Sequence, residues 1–328
     1  MGSPVLRGRF GTPDQIEVLV QIEAYVRLET EAHLARRKLW FPDELMPADA
    51  EMSAAAEQEL AEVRARARGL PDAVRVALAL NLLTEEGLPH FHRLIATHLG
   101  NESPWSIWNN LWTAEEDRHG CALRDYSRDA RVFNMAAVER AQYNYIESGF
   151  NPDWEQDPYR LLAYTSLQER ATQIAHSNTG RVCANYEPKL QRILAHISGD
   201  ESRHYQFYRA VFGEILDLDT DRALGSLLCV MPALAMPGHT MPGYDHMSEV
   251  VRRSDIYGPR HYCKIVEELL SHWRIAERTG LSAEGARAQD KLMRIPARLS
   301  RMSDYLEAKS GPRSFTFDLV YGRSIDFH

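Results

Sequence analysis

Cysteine is scarce in this sequence and follows no recognisable pattern. The four cysteines (Cys121, Cys183, Cys229 and Cys263) are widely spaced, and no two of them form a C-x-x-C pair. This spacing argues against a disulfide framework and against a cysteine zinc site, and it predicts a cytoplasmic protein in a reducing compartment. Any bound metal would then have oxygen and nitrogen ligands, which favours iron or manganese.

Long apolar runs, a signal segment and an excess of basic residues are also missing. No apolar run reaches ~18 residues, so we expect no membrane-spanning helix. Residues 1–10 carry Arg7 and Arg9 but lack the apolar segment of a signal peptide. The formal net charge is -8, which argues against nucleic acid as a partner of the whole protein.

What the sequence does contain is one motif, acid-Glu-x-Arg-His, in two copies. Residues 115–119 read EEDRH and residues 200–204 read DESRH, whereas the residue frequencies predict roughly 0.015 copies by chance. A Glu and a His three positions apart lie on one face of a helix and can reach the same point. Two such pairs are half of a di-iron carboxylate site. The alternative interpretation is two solvated helix faces with salt bridges.

The other half of such a site requires one glutamate from each of two further helices. Glu85 lies on the apolar stripe of a helix predicted over residues 73–98, and Gly87 and Pro89 predict a kink just after it. Glu169 lies on the apolar stripe of a helix predicted over residues 158–185. A buried carboxylate needs a partner or a metal, so both glutamates are candidate ligands.

The intervals between these residues place all of them at one height of a helix bundle. Glu85 precedes Glu116 by 31 residues, and Glu169 precedes Glu201 by 32. Each interval suits two half helices joined by a short turn, which brings both ends of the interval to the same level. The predicted ligands of two iron ions are Glu85, Glu116, His119, Glu169, Glu201 and His204.

The remaining periodicity predicts helices almost throughout, and therefore an all-α fold. We expect one domain over residues 1–328 with its four-helix core at about residues 72–215. An N-terminal arm and helices would occupy residues 1–71, and additional helices and a tail would occupy residues 216–328. Residues 314–321 alternate between apolar and polar in part, which predicts a short strand or β-hairpin near the C-terminus.

These motifs together resemble those of the soluble acyl-carrier-protein desaturases, the stearoyl-ACP desaturase family. The matching stretches are residues 83–89 (LTEEGLP), 108–120 (WNNLWTAEEDRHG), 164–172 (YTSLQERAT), 200–204 (DESRH) and 279–285 (TGLSAEG). All six candidate ligands match this family. The resemblance implies a homodimer with a ferritin-like di-iron bundle that introduces a cis double bond into an acyl chain carried on acyl carrier protein. It also implies dioxygen as co-substrate and ferredoxin as the electron donor.

The resemblance assigns roles to three residues beside the iron ligands. Thr172 matches a family threonine near the oxygen-binding face, and its position three residues after Glu169 would let it pass a proton to bound oxygen. Alternatively, its hydroxyl bonds back to its own helix. Asp200 and Trp40 match a chain of residues that reaches the iron ligand His119, and a carboxylate on the free nitrogen of a ligating histidine is expected.

The acyl tunnel is where this sequence departs from the plant enzymes. Trp154 and Leu161 stand where those enzymes have small or slim residues, and His98 stands where they have an apolar one. Added bulk would shorten or redirect a cavity, so we expect a shorter acyl chain, another bond position or an acyl group of specialised metabolism. His98 at the tunnel end would need a polar partner; the alternative is that it points to solvent.

Other functions are compatible with the same ligands. An acyl-ACP hydroxylase or monooxygenase could use the same di-iron site. A ferritin-like ferroxidase or a radical-generating reductase subunit would have a similar set of carboxylate and histidine ligands. A purely structural bundle would have to bury six ionisable groups without a purpose.

The acidic carrier protein would need a basic docking surface, and the sequence offers two. The first is residues 36–38, and the second is a helix with basic residues at Arg287, Lys291, Arg294, Arg298 and Arg301. Either cluster could instead be an ordinary solvated face.

Overall fold

Helices make up most of this computed structural model, which describes residues 11–47, 53–150, 152, 154–232, 234 and 236–327. The helices are α1 (Pro13–Gln21), α2 (Glu23–Arg36), α3 (Ala54–Arg68), α4 (Asp72–Glu85), α5 (Leu88–Leu99), α6 (Pro104–Asp129), α7 (Met135–Ser148), α8 (Pro158–Cys183), α9 (Pro188–Leu218), α10 (Thr220–Val230), α11 (Tyr244–Arg253), α12 (Pro259–His272), α13 (Ala283–Leu292) and α14 (Ile295–Ala308). The arm predicted at the start of the chain lies mostly outside the described residues. Among the helices of the described part, none is long and apolar enough to cross a membrane.

Four of these helices form a closed bundle. Helix α4 packs against α6 and α8, and α9 packs against the same two helices, with the most extensive contact between α8 and α9. Helix α2 lies outside this bundle and packs against α6 and α9. The predicted all-α, ferritin-like bundle is thus confirmed.

Helix starts in the bundle follow signals that are visible in the sequence. Asp157 caps α8 by accepting hydrogen bonds from the backbone N–H groups of the second and third helical residues, and Pro158 occupies the first position. Glu187 and Pro188 play the corresponding roles at the start of α9. A side-chain acceptor satisfies N–H groups that have no partner in the first turn, and proline has no N–H to satisfy there.

The helix predicted over residues 73–98 is two helices, α4 and α5, and not one kinked helix. The chain leaves helical geometry at Glu86 and Gly87, and Pro89 then lies in the first turn of α5. A Cβ atom on Gly87 would lie 2.6 Å from the ring Cε1 of Tyr145, so α7 packs too closely for any side chain at this break. The break directly follows the candidate ligand Glu85.

Two other predicted helices are also divided in the structure. Residues 13–38 carry one helical stripe of apolar residues in the sequence, such as Ile16, Leu19 and Val26, but the helix is interrupted at Ile22, between α1 and α2. The single helix predicted to carry the basic residues from Arg287 to Arg301 is interrupted at residues 293–294, between α13 and α14. In the second case Pro296 lies in the first turn of the new helix, where its missing N–H costs no hydrogen bond.

Two hydrophobic clusters flank the level of the candidate ligands. On α6, Trp105, Trp108 and Trp112 belong to one cluster, and Leu123 and Tyr126 belong to the other. The ligand residues of α6, at positions 116 and 119, lie between these two segments. Helices α8 and α9 change from one cluster to the other in the same way, whereas the core residues of α4 belong to the second cluster and those of α5, beyond the break, belong to the first. The site therefore lies at mid-height in the bundle, with apolar packing on both sides of it.

The predicted C-terminal hairpin is present. Strands β1 (Arg313–Phe317) and β2 (Arg323–Phe327) pair antiparallel, with Phe315 opposite Ile325. The side chains of Phe317, Ile325 and Phe327 are buried against the second hydrophobic cluster, which anchors the end of the chain to the bundle.

Candidate metal centre

The six side chains predicted as ligands meet inside the bundle, where all of them are buried. Their donor atoms form two groups, and within each group these atoms lie within 4.8 Å of one another. The first group consists of Glu85, Glu116, His119 and Glu201. The second group consists of Glu116, Glu169, Glu201 and His204. One helix break and three helix interiors therefore supply donors to a single buried volume.

Glu116 and Glu201 belong to both groups, and each contributes one oxygen to each of them. Nδ1 of His119 lies 3.5 Å from Oε2 of Glu116 and 3.6 Å from Oε1 of Glu201. Nδ1 of His204 lies 2.9 Å from Oε1 of Glu116 and 3.6 Å from Oε2 of Glu201. Glu116 and Glu201 would therefore be the residues that hold both of two metal ions, because each offers one oxygen to each donor group.

Several of these donor atoms are buried without a hydrogen-bond partner among the residues that the structure describes. They are Oε1 of Glu116, Nδ1 of His119, Oε2 of Glu169, Oε2 of Glu201 and Nδ1 of His204. The 2.9 Å approach between His204 and Glu116 does not have hydrogen-bond geometry, so both atoms keep a free lone pair or proton. A buried polar atom without a partner costs about 1–3 kcal/mol. Metal ions would satisfy these atoms, and a set of carboxylate oxygens and imidazole nitrogens suits iron.

Electrostatics also favour a cation between these residues. Burial and then the charge of Glu201 raise the pKa of Glu116, and the same two causes raise the pKa of Glu169 well above its usual value. Burial opposes a charge on His204, but the hydrogen bond to Glu115 and then the other carboxylates close to its ring raise its pKa well above the ordinary value. The carboxylates thus repel one another and draw in positive charge.

The residues predicted to support His119 are in place. Nε2 of His119 lies 3.2 Å from Oδ2 of Asp200, and the indole N–H of Trp40 donates to the same oxygen over 2.8 Å. Arg118 also donates to Asp200, over 3.3 Å, and to the backbone carbonyl of Trp40, over 2.9 Å. Arg203 completes the set by donating to the other oxygen of Asp200. This network leaves Nδ1 of His119 facing the first donor group.

Supports for the other ligands were not predicted from the sequence. Nε2 of His204 lies 2.9 Å from Oε2 of Glu115, which also lies 2.9 Å from Nε2 of His33. Glu115 was visible as the acid that precedes the first motif, by analogy with Asp200 in the second. His33 lies 82 residues away on α2, and no sequence signal connected it to the site.

Glu85 and Glu169, which each belong to only one donor group, are also held by hydrogen bonds from neighbouring side chains. Nε2 of His176 lies 2.7 Å from Oε1 of Glu85, and the amide of Asn81 donates to Nδ1 of the same imidazole over 3.3 Å. The indole N–H of Trp112 donates to Oε1 of Glu169 over 3.2 Å. Both carboxylates are therefore held by a hydrogen bond on one oxygen while their other oxygen faces the donor group.

Thr172 lies beside the donor groups with its hydroxyl turned to its own helix. The hydroxyl oxygen is 3.1 Å from the carbonyl of Glu169 and 3.2 Å from that of Gln168. This is the local hydrogen bonding weighed above as the alternative to proton transfer. The side chain nevertheless lines two cavities that meet at this point, so a rotation of the hydroxyl would direct it at their contents.

The larger of the two cavities has a volume of about 490 Å³ and is lined mostly by apolar side chains. At its inner end are the buried Thr172 and His176, and at its outer end are the exposed Arg298 and Met302. The cavity thus runs from the protein surface to the edge of the candidate metal centre.

The smaller cavity lies directly against the donor groups and has a volume of only about 20 Å³. Glu85, Glu116 and Thr172 line it on one side, and Leu88, Phe91 and Trp112 also contribute to its lining. Phe91 in turn packs against Phe150 and Tyr164, with ring centroids 4.9 and 6.1 Å apart. We refer to these three rings, Phe91, Phe150 and Tyr164, as the aromatic wall.

Of the three residues predicted to shape the tunnel, His98 and Leu161 are buried, and Trp154 is partly buried against the core. His98 is buried on α5, so the alternative that it points to solvent is wrong. Leu161 is buried in the same hydrophobic cluster as the aromatic wall, and the ring of Trp154 lies 5.7 Å from that of Tyr164. None of the three lines the two cavities that meet at Thr172, and their influence on those cavities would act through the aromatic wall.

This fold and these donor groups define the class of ferritin-like helix bundles, in which side chains of facing helices build a carboxylate metal site. Sequence comparison narrows the class. The chain matches the family described as fatty acid desaturase over residues 14–321. The stearoyl-[acyl-carrier-protein] 9-desaturase of Gossypium hirsutum is 34% identical to it over 328 residues, which cover 93% of this chain and 82% of that protein.

Further relatives agree with this assignment. The stearoyl-[acyl-carrier-protein] 9-desaturase 1 of Oryza sativa subsp. indica is 34% identical over 334 residues, covering 95% of this chain and 87% of the relative. A solved structure of a candidate acyl-ACP desaturase, DesA2 from Mycobacterium tuberculosis H37Rv, has a TM-score of 0.61 at 19% identity, covering 80% of this chain and 96% of that chain. The latter likeness supports the fold alone. The chain belongs to the acyl-ACP desaturase family of oxidoreductases.

Proposed function

We propose that this protein is a di-iron, dioxygen-dependent desaturase that introduces a cis double bond into an acyl chain carried on acyl carrier protein. The observation that carries the proposal is the pair of donor groups sharing Glu116 and Glu201, placed at the inner end of an apolar cavity. The residues that would hold the two iron ions are Glu85, Glu116, His119, Glu169, Glu201 and His204. The names of the relatives support acyl-ACP as the substrate class.

Two iron ions held there would supply the reduction of dioxygen and the removal of hydrogen from the acyl chain. In the overall reaction, two hydrogen atoms leave adjacent methylene groups and two electrons come from ferredoxin. Two protons come from the solvent, and dioxygen becomes two water molecules. The chain itself contributes the flanking apolar clusters, which exclude water, and the hydroxyl of Thr172, which could hold or donate a proton where the two cavities meet.

The unequal sizes of the two cavities support a substrate that differs from an ordinary stearoyl chain. The outer cavity offers about 490 Å³ to the part of the acyl chain nearest the carrier. The inner cavity offers about 20 Å³, which is little more than the space for one water molecule. We propose that only a short methyl-terminal segment passes Thr172, so that the chain is short or the new double bond lies near its methyl end.

A substitution in the aromatic wall tests this substrate proposal. Phe91→Ala would enlarge the inner cavity, and we expect longer acyl chains to be accepted and the double bond to move away from the methyl end. Phe212→Ala is a matched control, because Phe212 is buried in the same hydrophobic cluster but does not line either cavity. Unchanged product positions in the Phe91 variant would contradict the proposed depth limit.

The position of Arg298 favours one of the two basic clusters as the docking surface for the carrier protein. Arg298 is exposed at the outer end of the large cavity. Arg36 lines a separate surface depression with Arg209 and Arg274. We propose that the carrier docks at α14, and we expect Arg298→Glu to weaken binding in a salt-dependent way while Arg36→Glu does not. Ferredoxin as donor, a homodimer and a cytoplasmic location are further parts of the proposal, and they rest on the family resemblance.

The decisive experiment is an assay of the iron-loaded protein with a panel of acyl-carrier substrates, reduced ferredoxin and dioxygen. Mass spectrometry should detect a loss of two hydrogens from at least one substrate, and derivatisation should locate the double bond. A gain of one oxygen atom would indicate a hydroxylase, and oxidation of ferrous iron without conversion of any acyl substrate would indicate a ferroxidase. Metal analysis should find about two irons per chain, and a protein that binds none would contradict the proposal.

A further inference from the structure

The acid that precedes each Glu-x-Arg-His motif contacts the histidine of the other motif. Asp200, on α9, lies against Nε2 of His119, on α6. Glu115, on α6, lies against Nε2 of His204, on α9. Each candidate ligand histidine is thus oriented by a carboxylate on the opposite helix.

Glu115 also contacts a residue outside the four-helix bundle, His33. His33, on α2, is buried, and its Nε2 lies 2.9 Å from the same Oε2 atom of Glu115 that contacts His204. The rings of His33 and His204 are stacked, with centroids 5.7 Å apart and planes inclined by 19°. Trp108 meets both imidazoles edge-on, at 5.1 and 6.2 Å. Packing and hydrogen bonding therefore act together on the orientation of His204.

This geometry selects one tautomer of His204. An ionised Glu115 can only accept hydrogen bonds, so an Nε2 atom in contact with its oxygen carries the proton. The Nδ1 atom of a neutral His204 then has its lone pair free. That atom faces Glu116, Glu169 and Glu201, at 2.9, 3.5 and 3.6 Å.

We propose that Glu115 and His33 are positioning residues for His204, which set how tightly the chain retains metal at the group of Glu116, Glu169, Glu201 and His204. The group around His119 relies on Asp200 instead. This inference rests on the proposed di-iron function but concerns metal retention, which is measurable without any acyl substrate.

Two other interpretations of these contacts are testable beside it. His33 and Glu115 could be an ordinary buried pair with no influence on the metal centre. His33, Glu115 and His204 could also form a metal group themselves, because one ligand atom from each lies within 4.8 Å of the others. The second interpretation requires the hydrogen bonds within the trio to be broken, whereas both bonds are short.

The test is anaerobic titration of the metal-free full-length protein with ferrous iron, followed by metal analysis and Mössbauer spectroscopy. For the wild type we expect two tightly bound irons. In Glu115→Gln we expect one of them to bind about 10- to 100-fold more weakly, the usual effect of removing a group that orients a metal ligand. His33→Gln should weaken the same iron by a smaller factor. Asp200→Asn is the matched control, and it should weaken the other iron.

Double variants identify which iron is affected. Glu115→Gln combined with Glu169→Gln changes one donor group twice, so we expect the losses of affinity to be less than multiplicative. Glu115→Gln combined with Glu85→Gln affects both groups, so we expect the losses to multiply and both irons to be weakened. The reverse pattern would overturn the assignment of Glu115 to the His204 group.

The remaining outcomes separate failure of this inference from failure of the proposed function. Unchanged binding of two irons in both Glu115→Gln and His33→Gln overturns the inference and leaves the function intact. A third tight iron in the wild type that Glu115→Gln abolishes also overturns it, since the trio would then be a ligand set. A wild type that retains two irons but desaturates no substrate refutes the function and leaves the positioning roles standing. Circular dichroism of each metal-free variant checks its fold, and His33→Gln tests the proposal if Glu115→Gln does not fold.

Discussion

Around His119 the supporting carboxylate is surrounded by permanent positive charge, whereas around His204 it is held by a second imidazole. Asp200 accepts hydrogen bonds from Arg118 and Arg203, whose guanidinium groups do not lose their charge. Glu115 contacts His33 and His204, and the nearest guanidinium nitrogens in the described part of the chain, of Arg37 and Arg118, are 3.9 and 4.0 Å away.

We call the residues around His119 and the residues around His204 the two halves of the site. The two halves orient the same kind of ligand, a histidine, by different means. In the His119 half, charge compensation does not depend on the metal, since the arginines already balance Asp200. In the His204 half, a carboxylate is shared between two imidazoles, so its position depends on the packing of α2 against the bundle. A duplicated sequence motif has thus acquired two different surroundings, and the comparison predicts different consequences when each is disturbed.

The largest effect should come from the residues that the two halves share. Glu116→Gln removes one negative charge from both donor groups, so we expect the loss of both irons and of all desaturation. Metal analysis after dialysis measures the first, and product analysis measures the second. Asp117→Asn is the control, because its side chain is exposed beside Glu116 and should leave two irons bound. Retention of one full iron by Glu116→Gln would show that this residue serves only one half.

The next largest effect should be a difference in the free energy of unfolding between a variant of Asp200 and a variant of Glu115. Asp200→Asn leaves the buried Arg118 and the partly buried Arg203 without their carboxylate, and breaking a buried charged network costs about 3–5 kcal/mol. Glu115→Gln leaves no arginine within hydrogen-bonding distance unpaired, so we expect a smaller loss. Urea unfolding of the metal-free variants gives both free energies. Equal losses would contradict the difference in charge compensation described here.

A smaller effect is expected from Trp40, which contacts Asp200 but not His119 itself by a hydrogen bond. Trp40→Phe removes one hydrogen bond to the charged Asp200, worth about 1.5–3 kcal/mol, and leaves the arginines in place. We therefore expect a weaker loss of iron at the His119 group than in Asp200→Asn. Competition with a ferrous chelator measures this affinity. A loss as large as that of Asp200→Asn would mean that the indole, and not the arginines, holds the carboxylate.

The smallest effect should distinguish the two carboxylates that serve one group each. Trp112→Phe removes a hydrogen bond of 3.2 Å to one oxygen of Glu169, which is the longer of the two contacts compared here. His176→Phe removes the 2.7 Å contact to Glu85 and should reduce iron affinity more strongly. Ferrous titration of the two variants checks the order, and the opposite order would contradict it.

Much of the site could be predicted from the sequence because its ligands follow helical periodicity. The spacing within each Glu-x-Arg-His motif and the intervals of 31 and 32 residues place the six donors at one level whenever the helices are antiparallel. The break after Glu85 was also anticipated, although as a kink. The structure has two separate helices there, with Pro89 in the first turn of the second. The close approach of Tyr145 of α7 to Gly87 could not be predicted, because a contact between distant segments has no local signal.

The sequence by itself determined the all-α fold, the C-terminal hairpin and the residues that meet at the centre of the bundle. Only the tertiary structure decided what surrounds them: His33 against Glu115, Trp112 against Glu169, and the aromatic wall at the inner cavity. The physical reason is that periodicity fixes which face of a helix is buried, whereas the residue opposite that face depends on how separate helices pack. The supports of the metal ligands and the room for substrate are properties of that packing.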